Sequence, residues 1–434
     1  MQRLATFRWL VVSLMVGWLA ITPLIGCQQQ NSLEELIAQA ALLEGVRTSG
    51  HSRLREEFRA VELADGLPAK FNHPPLAKNK NAARGLEGLL KPKEVVRVDA
   101  ECAGLLAMLE IDPSAESFAA EATALAAKHQ ATIAEIVKLA DRPECDFGID
   151  YTKGRFGDFR FLNRGRMAVR LMLVDTIAQQ EISLTDGIDR FARGWRWIDW
   201  LMEQRYLEAW LTAAELRLES LGVLERLVAD SRATPVELDR LRKIVEGSFA
   251  TWPSIEGALQ RERAIDLHTY EAIRLGLVEP LFTVQERAEL RLEGVLEDLC
   301  TMPPERIDAD QAAYLATMRK LIELVRQPYY LIREQLAEED RQLGVHTNKQ
   351  EYAWFANRLC TENLTIALAE LASDRARVEG WVVALTEATG NGPAAVKLNP
   401  VNGQPYQIER IEGHIVVRLE DRRLANPLVR LPTP

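Results

Sequence analysis

Reactive side chains are scarce in this chain. It has six histidines and five cysteines among 434 residues. No Cys-x-x-Cys is present, and no cysteine has a histidine at ligand spacing, so a zinc site is not expected. Gly-x-Ser-x-Gly, His-Glu-x-x-His, P-loop and Gly-x-Gly-x-x-Gly patterns are all missing. Their absence disfavours the commonest hydrolases, zincins, nucleotide hydrolases and Rossmann enzymes. With 25 glycines and 19 prolines the chain is neither collagenous nor of low complexity. It also lacks a basic balance: the formal charge is −10, which argues against a protein that tracks nucleic-acid phosphates. No catalytic residue, metal or cofactor is expected, and enzyme activity is not the favoured reading. What remains is 47% hydrophobic and 27% charged, an ordinary globular balance that excludes wholesale disorder.

The most specific signal is at the N-terminus. Arg3 and Arg8 form a short positive region, and Leu10 to Ala20 is an uncharged apolar run. Leu24-Ile25-Gly26-Cys27 follows. Cations, an apolar stretch and then small residues is the order of a secretory signal. The four residues ending in Cys27 resemble the lipobox of bacterial lipoproteins. That resemblance implies cleavage after Gly26, acylation of the Cys27 thiol and a body held at a membrane of the cell envelope, in the periplasm. Gln28, a residue other than aspartate after the cysteine, implies the outer membrane in well-studied didermal bacteria; which membrane applies here stays open. The competing reading is an uncleaved anchor, since Trp9 to Gly26 has no charge and is nearly long enough to span.

Four cysteines then remain: Cys102, Cys145, Cys300 and Cys360. An exported chain meets an oxidising compartment, and four cysteines allow three pairings. Proximity in sequence favours Cys102–Cys145 and Cys300–Cys360; buried free thiols are the alternative.

The body reads as helix after helix. No proline falls between Asp146 and Thr234, which leaves room for long helices. Leu207, Leu211, Ala214, Leu218, Leu221 and Val228 recur at three and four residues, with Arg217 among the charged residues on the other faces. Thr283 and Glu286 have capping-box spacing. Helices are expected near 32–45, 51–64, 94–110, 114–140, 158–181, 184–204, 206–229, 235–250, 254–276, 284–300, 305–326, 328–342 and 350–389. No repeat of fixed length recurs, so the expected fold is all-α, an irregular multi-helix bundle or helical-hairpin array. The expected organisation is a signal peptide (1–26), N-terminal helices and a basic Pro-rich linker (27–93), a helical body (94–390) and a Pro-rich tail (391–434). In the basic segment a solvated linker is favoured over one held against anionic lipid. In the tail, Tyr406–Ile411 and His414–Leu419 are β-rich and flank Glu412-Gly413, which predicts a small hairpin.

Three groups are candidate ligand positions. Trp195, Trp197 and Trp200 lie close together with Trp210 on predicted helices. An aromatic wall suits sugar stacking or a protein hot spot, and core between helices is the commoner use. The segment Cys145 to Asp158, with Arg155, mixes acids, aromatics and glycines as a ligand loop would; an ordered connector into a helix capped by Asp158 is the plainer reading. His268 stands three residues before Glu271, with Glu262 and Asp266 one turn apart, but no second His–carboxylate helix completes a metal set.

The Cys145-Asp146-Phe147-Gly148-Ile149-Asp150-Tyr151 segment, an Arg/Leu-rich helix pair, and a final helix followed by Asn399-Pro400-Val401-Asn402-Gly403-Gln404-Pro405-Tyr406 together resemble exported helical proteins of planctomycete-type bacteria. Their tail reads Asp-Pro-Phe-x-Gly-x-Pro-Leu, from which Asn399 and Val401 depart. The resemblance implies an envelope address and a helical fold, and no activity. The tail is also similar to that of some secretion-system pseudopilins, whose N-terminal methylation helix this chain lacks. The expected role is a lipid-anchored envelope protein that contacts a protein partner as a scaffold or interaction module. Its alternatives are a glycan- or ligand-binding protein or enzyme using the Trp195–Trp210 region, and a secretion-apparatus accessory.

Overall fold

A computed structural model describes residues 76–110, 116–149, 155, 159–204, 207–252, 254–347, 354–360, 364–390, 398–419, 424 and 428–432. The leader, Cys27, the helices expected at 32–45 and 51–64, and the Asp158 cap lie outside them. The α-helices in chain order are α1 (Ala82–Leu86), α2 (Pro92–Leu106), α3 (Glu116–Lys128), α4 (Gln130–Ala140), α5 (Phe161–Ile182), α6 (Leu184–Glu203) and α7 (Leu207–Ala229). Then come α8 (Pro235–Gly247), α9 (Ile255–Arg274), α10 (Val284–Leu292), α11 (Val295–Cys300), α12 (Pro304–Leu324), α13 (Tyr329–Thr347) and α14 (Leu364–Thr389). A π-helical turn covers Phe355–Cys360. The fold is all-α with a small C-terminal sheet, as expected. Among the described residues no helix is long and apolar enough to cross a membrane.

The α5–α6 hairpin is the centre, and α2, α3, α4 and α7 pack on α5. Ser183 separates the two helices and caps α6 by accepting the Asp186 amide. On α5 nearly every side chain is buried, including Arg166, Arg170, Asp175 and Gln180. A buried cation needs its counter-charge inside the protein. Arg170 has three: Asp99 of α2 at 3.0 Å, and Glu215 and Glu219 of α7 at 2.7 and 2.6 Å. Burial pushes the Asp99 and Glu219 carboxyls above their usual range, and Arg170 pulls them back only in part.

Two expected helices are each broken in two. His129 separates α3 from α4; its ring lies 3.2 Å from Glu101 of α2, and Lys128 reaches the same carboxylate at 2.8 Å. Tying both residues to α2 turns the chain there. Gly294 separates α10 from α11 with φ +71°, a left-handed conformation that suits glycine. Thr283 and Glu286 form the expected capping box, the amide of Glu286 donating to the Thr283 hydroxyl at 3.2 Å.

The basic segment is a correction. Asn81 caps α1, and Ala82, Ala83 and Leu86 enter the core. Pro92 opens α2 rather than breaking a linker. The folded body therefore begins well before residue 94.

The phase of α7 is a second correction. The expected apolar stripe holds Leu218, yet Leu218 is 44% exposed and Arg217 is fully buried. The helix is covered on several sides, and α14 presents Asp374 to Arg217 as a bidentate partner, with Nη2–Oδ2 at 2.7 Å. Trp252 stacks on the guanidinium at 4.5 Å. A local pattern of charge cannot show that a counter-charge waits on a helix 157 residues away.

The tail folds on the body. Strands β1 (Gln407–Ile411), β2 (His414–Arg418) and β3 (Val429–Pro432) make an antiparallel sheet in the order β1-β2-β3. The predicted hairpin is β1–β2, turned at Glu412 and Gly413, which both have positive φ, the requirement of a tight two-residue turn. The third strand was not foreseen. Strands β2 and β3 pack on α14, and Tyr406 donates its hydroxyl to Glu379 at 3.1 Å. In the preceding loop the buried Asn399 side chain accepts the amides of Val401 and Asn402 at 3.0 and 2.9 Å. Gly403 has φ +71°, and any Cβ there would lie 2.6 Å from the Tyr330 ring, so the loop docks on α13 only with glycine.

Asp374→Ala leaves a guanidinium buried with its counter-charge gone and costs about 3–5 kcal/mol in urea unfolding. The double variant Arg217→Leu/Asp374→Leu costs much less. If the double variant proves the less stable of the two, the pair is not an uncompensated-charge problem.

Candidate functional site

α9 is buried for nearly its whole length, yet Arg261, Glu262, Arg263, Asp266, His268, Thr269 and Glu271 all lie on it in buried positions. A helix buried all round is normally apolar. So dense a polar seam is the strongest functional candidate in the body, because buried ionisable groups persist where they have partners or a task.

The seam draws together two of the sequence signals. Arg155, from the candidate ligand loop, donates its Nε to Asp266 at 2.8 Å, and its backbone amide donates to Thr269 at 3.3 Å. Glu262, one turn before Asp266, accepts the amide of Leu207 at 2.9 Å, at the start of α7. Burial, and then the neighbouring Asp266, pushes the Glu262 carboxyl up to about 8, against the pull of Arg155. At neutral pH Glu262 is mostly a neutral acid beside Asp266, whose two oxygens are both held by donors. A proton donor and an acceptor one turn apart is the arrangement acid–base chemistry uses. In this protein the same groups also bind α9 to its neighbours.

The second half of the seam was missed. Asp266 and Tyr270 are four apart on α9, as are Asp310 and Tyr314 on α12. The bonds cross: Tyr270 donates to Asp310 at 2.5 Å, and Tyr314 donates to Asp266 at 2.9 Å. This reciprocal pairing sets the two helices antiparallel. Asp310 also accepts the amides of Phe355 and Ala356 at 2.9 and 2.8 Å, which fixes the start of the π-helical turn. Burial raises the Asp310 carboxyl. The Asp-x-x-x-Tyr spacing, present in both helices, was the signal available. His268 sits on this helix and is buried. Among the described residues no group of three or more His, Cys, Asp or Glu side chains is arranged to hold a metal ion.

The tryptophans do not form a ligand wall. Trp195, Trp197 and Trp200 are all at most 4% exposed. Trp195 donates its indole N–H to Ser248 at 2.6 Å, which in turn bonds Asp199. Burial pushes Asp199 up to about 6. Trp197 meets Trp200 edge to face at 4.8 Å, and Trp210 donates to the Met202 carbonyl at 2.7 Å. α6 is enclosed by α4, α5, α7 and α8, so both its aromatic faces are core. The glycan reading loses its motive.

The expected disulfides are also corrected. Cys102, Cys145 and Cys300 are free thiols. Cys102 is buried on α2, and burial pushes its thiol up to about 12. Cys145 is buried beside the α1 connection, where burial raises its thiol as well. Cys300 is exposed, and the side chain of Cys360 lies outside those described.

Comparison with protein-family models, with curated proteins and with solved structures finds no match to this chain. The functional reading therefore rests on the leader and on the geometry.

Two outcomes follow from the site. The folded Glu262 carboxyl titrates near 8 against an ordinary 4.5, so the fold binds a proton that the unfolded chain releases across that window. The stability contribution is complete below the ordinary value and is lost as pH rises through the folded one. Glu262→Gln should unfold at the same urea concentration as the parent near pH 4 and at a higher one near pH 9. Parallel pH profiles would show that Glu262 does not titrate with folding. Second, a thiol reagent should modify Cys300 in the native protein and reach Cys102 and Cys145 only on unfolding, a difference mass spectrometry resolves.

Proposed function

We propose that this chain is a lipid-anchored cell-envelope protein whose helical body serves in the periplasm as a protein-interaction or scaffold module. The observation that carries the reading is the leader: Arg3 and Arg8, the uncharged Leu10–Ala20 run, then Leu24-Ile25-Gly26-Cys27. Acylation of Cys27 would supply the anchor, and the several chains of a lipoprotein hold far more firmly than one.

Two features of the body support an interaction role. Its buried ion pairs and crossed Asp–Tyr bonds favour one rigid packing, which suits a surface presented to a partner. Its aromatic side chains are mostly spent on the core, so recognition falls to exposed groups. Ile182 and Val236 are 76% and 79% exposed. Ile182 ends α5 and Val236 lies in the first turn of α8, and Arg232, just before α8, donates to the Gln180 carbonyl near the end of α5 at 2.6 Å.

A second reading, an envelope ligand-binding protein or enzyme, is favoured by one observation, the Arg155–Glu262–Asp266 group. It requires a small molecule to reach these carboxyls. Ligand-dependent protection of Glu262 from carbodiimide modification would decide for it. A secretion-apparatus role leaned on the tail, which is a docked part of the body.

In cells, the parent protein should take up labelled fatty acid and stay with membranes, and Cys27→Ala should lose both. Label and retention that survive the substitution would sink the lipoprotein reading. A partner crosslinked stoichiometrically to the parent should be recovered several-fold less with Ile182→Asp/Val236→Asp, at unchanged thermal stability.

A further inference from the structure

The lysines of the described residues divide into two sets. Lys128, Lys138, Lys243 and Lys320 are each tied to a carboxylate: Glu101, Glu135, Asp239 and Glu339. Lys78, Lys80, Lys91 and Lys93 are exposed and form no ion pair among the described residues. All four fall in one short stretch at the start of the body. Its one acid is Glu87, already taken by Arg84 at 3.2 Å. In a protein of net charge −10, the lysines without an ion pair among the described residues thus all fall between residues 78 and 93.

The stretch is held rigidly. Asn81 bridges to Glu144, and its side chain donates to the Asp146 carbonyl at 2.7 Å. Arg142 donates to the carbonyls of Lys78 and Asn81 at 3.0 and 2.6 Å. Ala82, Ala83 and Leu86 are in the core. The backbone that carries these cations is therefore a surface of the body. Lys91 is the N-cap of α2 and Lys93 lies in its first turn, at the positive end of the helix dipole, where cations are disfavoured. Glu94 in the same turn offsets this in part and accepts the Lys91 amide at 3.0 Å. Internal stability gives no reason for two lysines there; an external anion does.

The occupant follows from where the chain comes from. In the chain order, residues 76–93 are the first of the described residues after Cys27. We infer that Lys78, Lys80, Lys91 and Lys93 seat the body on the anionic headgroups of the membrane that holds the anchor. The inference rests on the anchored reading above. A cluster of four to eight cations next to a membrane attachment is attracted to anionic lipid within a Debye length of the surface. The attraction also gives the anchor a second, salt-sensitive contact and fixes which end of the body faces the membrane.

The test is lysine footprinting of the full chain on vesicles. One set is phosphatidylcholine alone; the other contains about one part in three phosphatidylglycerol. On the anionic vesicles, acetylation of Lys78, Lys80, Lys91 and Lys93 should slow by about three-fold or more, with Lys128 and Lys320 unchanged, and the protection should vanish near 1 M salt. Lys91→Glu/Lys93→Glu places acids at a helix N-terminus, where they are tolerated, and should abolish the protection of Lys78 and Lys80. Equal acetylation on both vesicle types, with the protein retained on both, overturns the seating and leaves the anchor standing. Loss of the protein from both vesicle types overturns the two readings together. Protection by inorganic phosphate without vesicles assigns the lysines to a free anion and also overturns the seating.

Discussion

A single guanidinium holds the centre of this protein in register. Arg170 lies on a helix enclosed by five others and takes Asp99 from one neighbour and Glu215 and Glu219 from another. Burial works against its charge, and the Glu219, Asp99 and Glu215 carboxylates together more than restore the charged form. Such a cluster adds little net stability over an apolar core, since the ions must first be dehydrated. What it does is penalise every other packing. If α2 or α7 slides by a turn along α5, a carboxylate or the arginine is left buried without a partner. The same logic applies at Arg217 and Asp374 for α7 and α14, and in the crossed Asp–Tyr bonds for α9 and α12.

These contacts account for where the aromatic residues went. With the helices registered by charge, the space around α6 is filled by Trp195, Trp197, Trp200 and Trp210, each too large to leave exposed without cost. The indole N–H groups of Trp195 and Trp210 find Ser248 and the Met202 carbonyl. An interior built this way has no aromatic face to spare. What is left for recognition is the exterior, where, among the described residues, isolated apolar side chains and the unpaired lysines of residues 78–93 stand out from a surface laced with ion pairs.

The α9 seam stands apart from both roles. Glu262 is kept neutral by its surroundings while Asp266 is held by Arg155 and Tyr314. The stabilities of α7, α9 and α12 are coupled through it, because each contributes a donor or an acceptor to the same few carboxyls.

Helix positions were legible because they depend on nearby residues. Thr234-Pro235 and Thr283 with Glu286 start helices by satisfying or omitting the free amides at their ends, and Glu412-Gly413 turns the hairpin. The leader pattern on which the proposed export rests is equally local, a string of side-chain types read in order. Which face of a helix turned inward was decided by tertiary structure. Arg217 looked like a solvated residue and Leu218 like core, and Asp374 reversed them. Cys102 and Cys145 looked pairable, and packing kept them apart as buried thiols. Pairing Arg155 with Asp266, or Asp310 with Tyr270, likewise depended on segments distant in the chain. The sequence alone determined the helical class and most helix starts, since each is a short-range property. The tertiary structure decided which charges are buried and which are left unpaired, because a counter-charge is supplied by whichever helix arrives beside it.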